Sequence, residues 1–248
     1  MRGRIHEKRQ GNKTKMKLSI IVPIYNEKNT IRELARRVSA VDLGKIKKEI
    51  ILVDDCSRDG SREILKKLKG GYKKIFHKKN SGKGAALKTG INAATGDFTI
   101  FQDADLEYDP NDYKTLLNYL MEKNAGVVIG TRFKGKKFAL FGKKKTIHST
   151  HWIGNKFLTS VFNIFYNVNL TDIEPCYKLF KSDVLKSVDI KTNGFEYDIE
   201  LLCKLVKKGV KIHQIPISYS PRRFEEGKKI NWKDGIIAFW IIVKQRFV

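Results

Sequence analysis

Two uninterrupted apolar runs, Ile20–Ile21–Val22 and Ile50–Ile51–Leu52–Val53, restrict this chain more than any other feature. A strand with one wet face alternates apolar and polar residues; one covered on both faces, as in a parallel sheet between helices, does not. Between the two runs, Thr30–Val41 carries Ile31, Leu34, Ala35 and Val38 at i, i+3, i+4 and i+7, one buried helical face behind an Asn29/Thr30 cap. The same rhythm continues through Ser61–Lys69, Tyr72–His77, Gly84–Ala94 and Phe98–Gln102. It predicts an α/β fold with a mostly parallel central sheet. Ligands of such sheets sit outside the carboxyl ends of the strands, which directs attention to Pro23–Glu27, Asp54–Asp55 and Asp103–Asp105.

Beyond Gly130 the pattern changes to a basic stretch, Thr131–Lys145, and then to an apolar helical segment, Trp152–Val168, with Trp152, Phe157, Val161, Phe162 and Phe165 on a wide face. Glu196–Lys207 reads as a helix, Lys211–Tyr219 as a strand ending at Pro221, and Lys233–Arg246 as an amphipathic helix. There is no internal repeat and no linker. The organisation expected is a basic tail over 1–16, one globular unit over 17–230 and a C-terminal helix over 231–248.

The chain has 50 Lys+Arg against 26 Asp+Glu, a formal charge of +24, on a composition that is 41% hydrophobic. Such an excess points to anionic partners and says nothing about fold. Cys56, Cys176 and Cys203 are too few and scattered for a disulfide framework or a zinc site, so a reducing compartment is expected and core filling for Cys176 and Cys203. Met1–Lys17 has no apolar core of the kind a secretory leader needs. The longest candidate span, Ile236–Val243, is eight residues and cannot cross about 30 Å of hydrocarbon.

Phe98–Asp105 is an apolar strand emptying into D-x-D. Where a strand breaks into a turn, two carboxylates can converge on one hard cation, Mg²⁺ or Mn²⁺, with substrate phosphates supplying further oxygens. Asp54–Asp55 sets two like charges against another strand end, a cost unless something binds them, while Asp59-Gly60-Ser61 has the composition of a turn and cap. Asn80-Ser-Gly-Lys-Gly-Ala-Ala looks like a phosphate loop but lacks the early Gly and final Ser/Thr of the P-loop and the third Gly of the dinucleotide fingerprint. An ATPase or a dehydrogenase is therefore disfavoured. His77, His148, His151 and His213 show no metal-ligand spacing and read as structural.

Taken in order, Leu18-Ser-Ile-Ile-Val-Pro-Ile-Tyr-Asn-Glu27, Val53-Asp-Asp-Cys-Ser-Arg-Asp-Gly-Ser61, Asn80-Ser-Gly-Lys-Gly-Ala85, Asp103-Ala-Asp105 and Gly130-Thr-Arg-Phe133 resemble the family 2 glycosyltransferases. Thr171-Asp-Ile-Glu-Pro-Cys-Tyr-Lys178, Gly194-Phe-Glu-Tyr-Asp-Ile-Glu-Leu201 and Pro221-Arg-Arg-Phe-Glu-Glu-Gly-Lys-Lys-Ile230 extend the likeness to the dolichyl- and polyprenyl-phosphate sugar transferases, over residues 17 to about 247. The resemblance implies a GT-A fold, a nucleotide-sugar donor of the GDP-mannose or UDP-glucose type, Mg²⁺ or Mn²⁺, and a polyprenyl or dolichyl phosphate acceptor. It assigns Pro23, Tyr25, Glu27, Val53, Asp55, Asp103 and Ala104 to the nucleotide, and Asp103, Asp105 and Glu107 to the metal. Glu107 stands where these enzymes often carry glutamine. Arg132, Lys145, Ser149, Arg222 and Lys228 fall to the acceptor phosphate, with Asp105, Arg132 and Arg222 carrying the chemistry. Lys145 replaces an arginine of the pattern, a point charge in place of a bidentate fork. Arg223 and Lys229 are equally placed alternatives to Arg222 and Lys228.

Transfer to a phosphate monoester needs no general base, because the second pKa of the acceptor is about 6. It needs cations: two phosphate charges a few ångström apart repel by about 4 kcal/mol at an effective dielectric near 20, and Arg, Lys and a metal offset that repulsion. A rival within the family is transfer to a saccharide hydroxyl, where Glu196 and Asp198 occupy the place of a catalytic carboxylate; the Q-x-x-R-W signature of processive synthases is absent. A nucleic-acid-binding protein, suggested by charge alone, leaves the D-x-D unexplained. The expected location is the cytoplasmic face of a membrane, reached peripherally through the last helix or through a membrane partner protein.

Overall fold

The apolar runs form the middle of a sheet. A computed structural model describes residues 16–132, 149–222 and 232–248. In chain order these give β1 (Lys17–Ile24), α1 (Ile31–Ala40), β2 (Lys47–Asp54), α2 (Ser61–Lys67), β3 (Tyr72–Phe76), α3 (Lys83–Ala93), β4 (Phe98–Phe101), α4 (Asp112–Glu122), β5 (Val127–Thr131), α5 (Ser149–Tyr166), β6 (Lys178–Lys181), α6 (Ser182–Lys186), α7 (Tyr197–Lys207), β7 (Ile212–Pro216) and α8 (Trp232–Phe247). The strand order is β3-β2-β1-β4-β6-β5-β7. All pairings are parallel except those of β6, which runs against both β4 and β5. Leu18–Val22 and Ile50–Asp54 are buried throughout, as strands covered on both faces must be.

From β1 the chain moves outward to β2 and β3, then returns to place β4 on the other side of β1. The reversal leaves a crevice between the carboxyl ends of β1 and β4, where open α/β sheets bind ligands. Glu27 follows β1 and Asp103–Asp105 follow β4, so the topology alone brings these carboxylates to one place. The connection between β3 and β4, α3, packs on β1 and β2. Its Gly90 lies so close to Ile21 that any Cβ there would collide with the isoleucine side chain.

Several expectations need correction. Thr30 occupies the N-cap of α1 without making a capping bond; its hydroxyl donates instead to Glu27 Oε2 at 3.0 Å. The strand expected to Tyr219 stops at Pro216, which lacks the N–H to continue a ladder, and Tyr219 forms only an isolated bridge to Tyr108. The structure adds α4, β5, β6 and α6 to the elements the sequence pattern predicts. The first has a plain helical face, Tyr113, Leu116, Leu117 and Leu120, whereas β6 spans four residues with lysine at each end and gains its strand character from two neighbours.

Among the described residues no helix is long and apolar enough to cross a membrane. On one face α8 buries Ala238, Ile241 and Ile242 against α5 and α7, and the Tyr166 hydroxyl donates to the Ile242 carbonyl at 3.0 Å. Its other side leaves Ile236, Ile237, Phe239 and Trp240 exposed, beside exposed Ile153 and Phe157 of α5; Phe157 and Phe239 stack at 6.1 Å.

Glu200 of α7 accepts the backbone N–H groups of Lys191 and Thr192 and pairs with Lys204 at 2.6 Å, holding the segment before α7 in place. Burial pushes its carboxyl up, but the hydrogen bonds from Lys204 and Thr192 prevail and hold it at about 2, against an ordinary 4.5. A depressed folded value gives stability that is complete above the unfolded value and lost as pH falls through the folded one. At about 1.4 kcal/mol per unit, Glu200→Gln is expected to cost about 3 kcal/mol at pH 7. In thermal melts the gap to wild type should close between pH 4.5 and 2.

Candidate active site

The site starts at the end of β4. Gln102 is fully buried, its Oε1 accepting the hydroxyls of Tyr113 and Tyr177 and its Nε2 donating to the Asp103 carbonyl at 2.9 Å. The chain then turns, with Leu106 in the left-handed region at φ 64°, a conformation that costs a side chain of this kind about 1–3 kcal/mol. The Glu107 N–H donates to Asp105 Oδ1 at 3.1 Å and closes the turn. Asp103 is anchored by its own N–H, which donates to Cys176 Sγ at 3.1 Å. Cys176 is thus an acceptor at the site as well as a buried filler.

Lys83, the first residue of α3, meets Asp103 Oδ1 at 2.8 Å. Burial acts to strip its proton, but the neighbouring Asp103 carboxylate outweighs that and raises its pKa. Burial likewise pushes Asp103 up, and the Lys83 charge and hydrogen bond take it below the usual range. The loop that delivers this lysine spends its amides internally. Ser81 and Gly82 donate to the Asp55 carboxylate at 2.9 and 2.8 Å, and Gly84 and Ala85 donate to the Gly194 and Asn193 carbonyls at 3.2 and 3.1 Å. A phosphate cradle needs such amides unpaired; here they lock the loop, so its contribution is the lysine. Gly82 has φ 97°, and a Cβ on it would fall on the Asn193 carbonyl oxygen.

The same bonds give Asp54 and Asp55 partners inside the protein, which offset the cost of their adjacent charges. Asp54 pairs with Arg62 at 2.6 Å and accepts the Ser57 N–H at 3.1 Å. Asp55 holds the Ser81–Gly82 amides and faces His77 Nδ1 at 2.7 Å. His77 is structural, bridging Asp55 to the Thr89 hydroxyl at 2.9 Å. Asp59 is turn chemistry as read, taking the Ser61 and Lys28 amides at 3.0 Å each.

Across the crevice, the Arg222 guanidinium lies 3.2 Å from Asp105 Oδ2, 3.3 Å from Glu27 Oε2 and 3.7 Å from Glu107 Oε1. Glu107 also accepts the Arg222 backbone N–H at 3.0 Å and the Tyr219 hydroxyl at 2.9 Å, so both of its oxygens tether the 219–222 segment. Burial, then the charges of Asp103 and Glu107, push the Asp105 carboxyl up to about 7. Negative charge is crowded here beyond what Arg222 offsets.

Arg132, just past β5, makes a two-pronged pair with Asp172 at 2.8 and 2.9 Å and lies 5.4 Å over the Tyr219 ring. Asp172 is fully buried; burial raises its pKa, the Arg132 charge and hydrogen bonds lower it more, and the net shift is downward. Lys178, also fully buried, contacts Asp198 Oδ1 at 3.4 Å without hydrogen-bond geometry. Tyr119 bonds His213 Nδ1 at 3.2 Å, a structural contact at the sheet edge.

Of the residues singled out in the sequence, Glu27, Asp105, Glu107 and Arg222 meet at one point, with Asp103 beside them on Lys83. Pro23 and Val53 are register partners on β1 and β2, with Val53 wholly buried; Ala104 is buried too, and Tyr25 lies just past β1. Ser149 is the first residue of α5; Lys145, Arg223, Lys228 and Lys229 lie outside the described residues. Sequence reasoning missed Lys83 and Asp172, although both stand inside motifs it quoted. A cavity of about 750 Å³ borders the site, between α1 and the Leu106–Asn111 and Ile217–Ser220 segments.

A hard divalent cation takes oxygen ligands, often one or two carboxylates completed by substrate phosphates. Asp103 and Asp105 are such a pair, and the crowded negative charge on Asp105 fits a cation there. Among the described residues no three acidic, histidine or cysteine side chains are already gathered as a cage, so the phosphates would have to supply the remaining ligands.

Residues 19–189 match the family model described as glycosyl transferase family 2. The chain is 28% identical over 209 residues to the low-salt glycan biosynthesis hexosyltransferase Agl6 of Haloferax volcanii, covering 84% of this chain and 49% of that protein. It is 28% identical over 218 residues to the dolichol-phosphate mannosyltransferase of Pyrococcus furiosus, covering 86% and 59%. A dodecaprenyl-phosphate galacturonate synthase of Rhizobium johnstonii matches at 28% over 180 residues, 71% of this chain and 51% of that one. The chain thus spans about half the length of the curated relatives it matches. In fold it is similar to glucosyl-3-phosphoglycerate synthase of Mycobacterium tuberculosis, solved with UDP (TM-score 0.70, 18% identity, 94% of this chain and 81% of that one) and with Mn²⁺, UDP and phosphoglyceric acid (0.67, 17%, 94% and 79%). The fold is GT-A.

Proposed function

The chain belongs to glycosyl transferase family 2, and from that footing we propose that it moves a hexose, with inversion, from a GDP-mannose or UDP-glucose type donor to a polyprenyl or dolichyl phosphate. One observation carries the reading: a carboxylate pair at the switch point of the sheet has Lys83 on one side and Arg222 on the other, with Arg132 over the ring of Tyr219, whose hydroxyl bonds Glu107. That is a site for bringing two phosphates together. The relatives named for dolichol-phosphate and dodecaprenyl-phosphate chemistry support the lipid acceptor.

In this reading Asp103 and Asp105 hold Mg²⁺ or Mn²⁺, with Glu107 within reach. The cation supplies charge neutralisation for the donor's diphosphate and its departure. Pro23, Tyr25, Glu27, Val53, Asp55 and Ala104 frame the nucleotide from the ends of β1, β2 and β4. Lys83 keeps Asp103 ionised and oriented. Arg132, Lys145, Ser149, Arg222 and Lys228 receive the acceptor phosphate, whose anionic oxygen attacks without a base. The exposed apolar side of α5 and α8, with Lys244 and Arg246 at the end of α8, lies on the cytoplasmic face of a membrane by direct contact.

Asp198 favours a second reading. Its carboxylate is near enough to Lys83 to act on its charge and has one oxygen without a hydrogen bond, so a saccharide hydroxyl acceptor has a candidate base. One screen decides: the protein with Mn²⁺ or Mg²⁺, GDP-mannose, UDP-glucose or UDP-GlcNAc, and either short polyprenyl phosphate or soluble saccharides. Transfer to polyprenyl phosphate that stops on chelation is the expected result. Transfer to saccharides alone supports the second reading, and no transfer from any donor defeats both.

A further inference from the structure

Arg222 is held in an unusual way for a half-buried arginine, its side chain 17% exposed. Its guanidinium faces three carboxylates that come from three separate stretches of chain, yet its contacts are long, at 3.2, 3.3 and 3.7 Å. Its Nε is buried and has no hydrogen-bond partner among the described residues. Arginine has five donors in a fixed fork and normally fills them when buried. The side chain is held here by charge more than by fit. Its backbone is another matter, fixed by the Arg222 N–H on Glu107 and by the Ser220 N–H on the Glu107 carbonyl at 2.8 Å.

The carboxylates tell the same story. Asp105 Oδ1 is taken by the Glu107 amide and Oδ2 faces Arg222. Both Glu107 oxygens face Arg222 or Tyr219. A cation seated on Asp105 would meet the guanidinium at close range, and like charges at that distance repel strongly in a site with little water.

We propose that Arg222 is the internal counter-ion of the carboxylate group Glu27, Asp105 and Glu107, and that its side chain exchanges places with the divalent cation. In the metal-free protein it offsets part of the cluster's negative charge. When metal and nucleotide diphosphate arrive, the guanidinium swings off Asp105 and Glu27 while its backbone stays tied to Glu107, which leaves it beside the incoming phosphates. This rests on the metal-dependent reading of Asp103 and Asp105 and adds to it a coupling between cation binding and the placing of a phosphate-binding arginine.

Two bodies competing for one site lower each other's apparent affinity by the fraction of sites left competent, so removing Arg222 is expected to tighten Mn²⁺ binding by about tenfold or more. The measurement is Mn²⁺ titration of the nucleotide-free protein, followed by loss of the free-ion electron paramagnetic resonance signal. Arg222→Met should bind more tightly than wild type, Arg222→Lys should stay within about threefold of wild type, and Asp105→Asn combined with Arg222→Met should lose the gain. Equal or weaker Mn²⁺ binding by a folded Arg222→Met protein overturns the exchange. No Mn²⁺ binding in any of these nucleotide-free proteins overturns the exchange, since Arg222 then competes with no cation, while the metal reading itself stands or falls with the chelation arm of the transfer screen. Wild-type protein gives an independent measurement: the Arg222 Nε–H resonance, shielded in the metal-free protein, should shift and exchange faster on adding Mg²⁺ with UDP. A resonance that Mg²⁺ and UDP leave unmoved overturns the exchange even if the methionine variant does not fold.

Discussion

Asp105→Asn is expected to lower transfer to polyprenyl phosphate by at least about a thousandfold, equivalent to about 4 kcal/mol of transition-state stabilisation, while the protein keeps its fold. The substitution preserves shape and removes the charge that holds the cation. The folded state should bear it well, because Asp105 is crowded by Asp103 and Glu107 and its charge is costly where it lies. Arg222 keeps Glu27 and Glu107 as partners. Steady-state rates with saturating Mn²⁺, beside a melting temperature within a few degrees of wild type or above it, check both halves. A variant that retains a tenth of the activity would remove Asp105 from the proposed machinery.

Asp172→Ala should do the reverse, damaging the fold first. Asp172 is fully buried and accepts from Arg132 through both oxygens and from Asn155 at 3.1 Å. Truncation strands a guanidinium that is only 13% exposed, and breaking a buried pair in this way costs about 3–5 kcal/mol. For a chain of this size that corresponds to a melting temperature lower by about 10 °C. Arg132→Met with Asp172→Leu, which removes both charges, should recover much of the loss in thermal melts but none of the transfer activity. If the single variant melts with wild type, the pair is not what positions Arg132 against Tyr219.

How much of this was legible in the sequence follows from how local each signal is. The α1 stripe and the unbroken runs of β1 and β2 report burial through neighbouring residues, so they could be read directly. β6 could not, since a four-residue strand with a buried lysine depends on β4 and β5 to define it. The D-x-D was readable as a turn at a strand end. That Asp54 is spoken for by Arg62, and Asp55 by the amides of a loop 26 residues later, was not readable, because like charges in sequence say nothing of what the tertiary fold sets against them.

By itself the sequence determined the fold class, the strand ends where a ligand sits and the acidic residues at those ends. Hydrophobic period and strand-end composition are properties of the chain alone, and so is the order of motifs that points to the family. Only the tertiary structure decided which charges pair. It set Lys83 on Asp103, Asp172 on Arg132, and a single arginine, nearly two hundred residues along the chain from Glu27, among the carboxylates of the proposed metal site. Ion pairing falls off over a few ångström, and sequence separation carries no information at that scale. The excess of positive charge was countable from the composition; where it is neutralised was not.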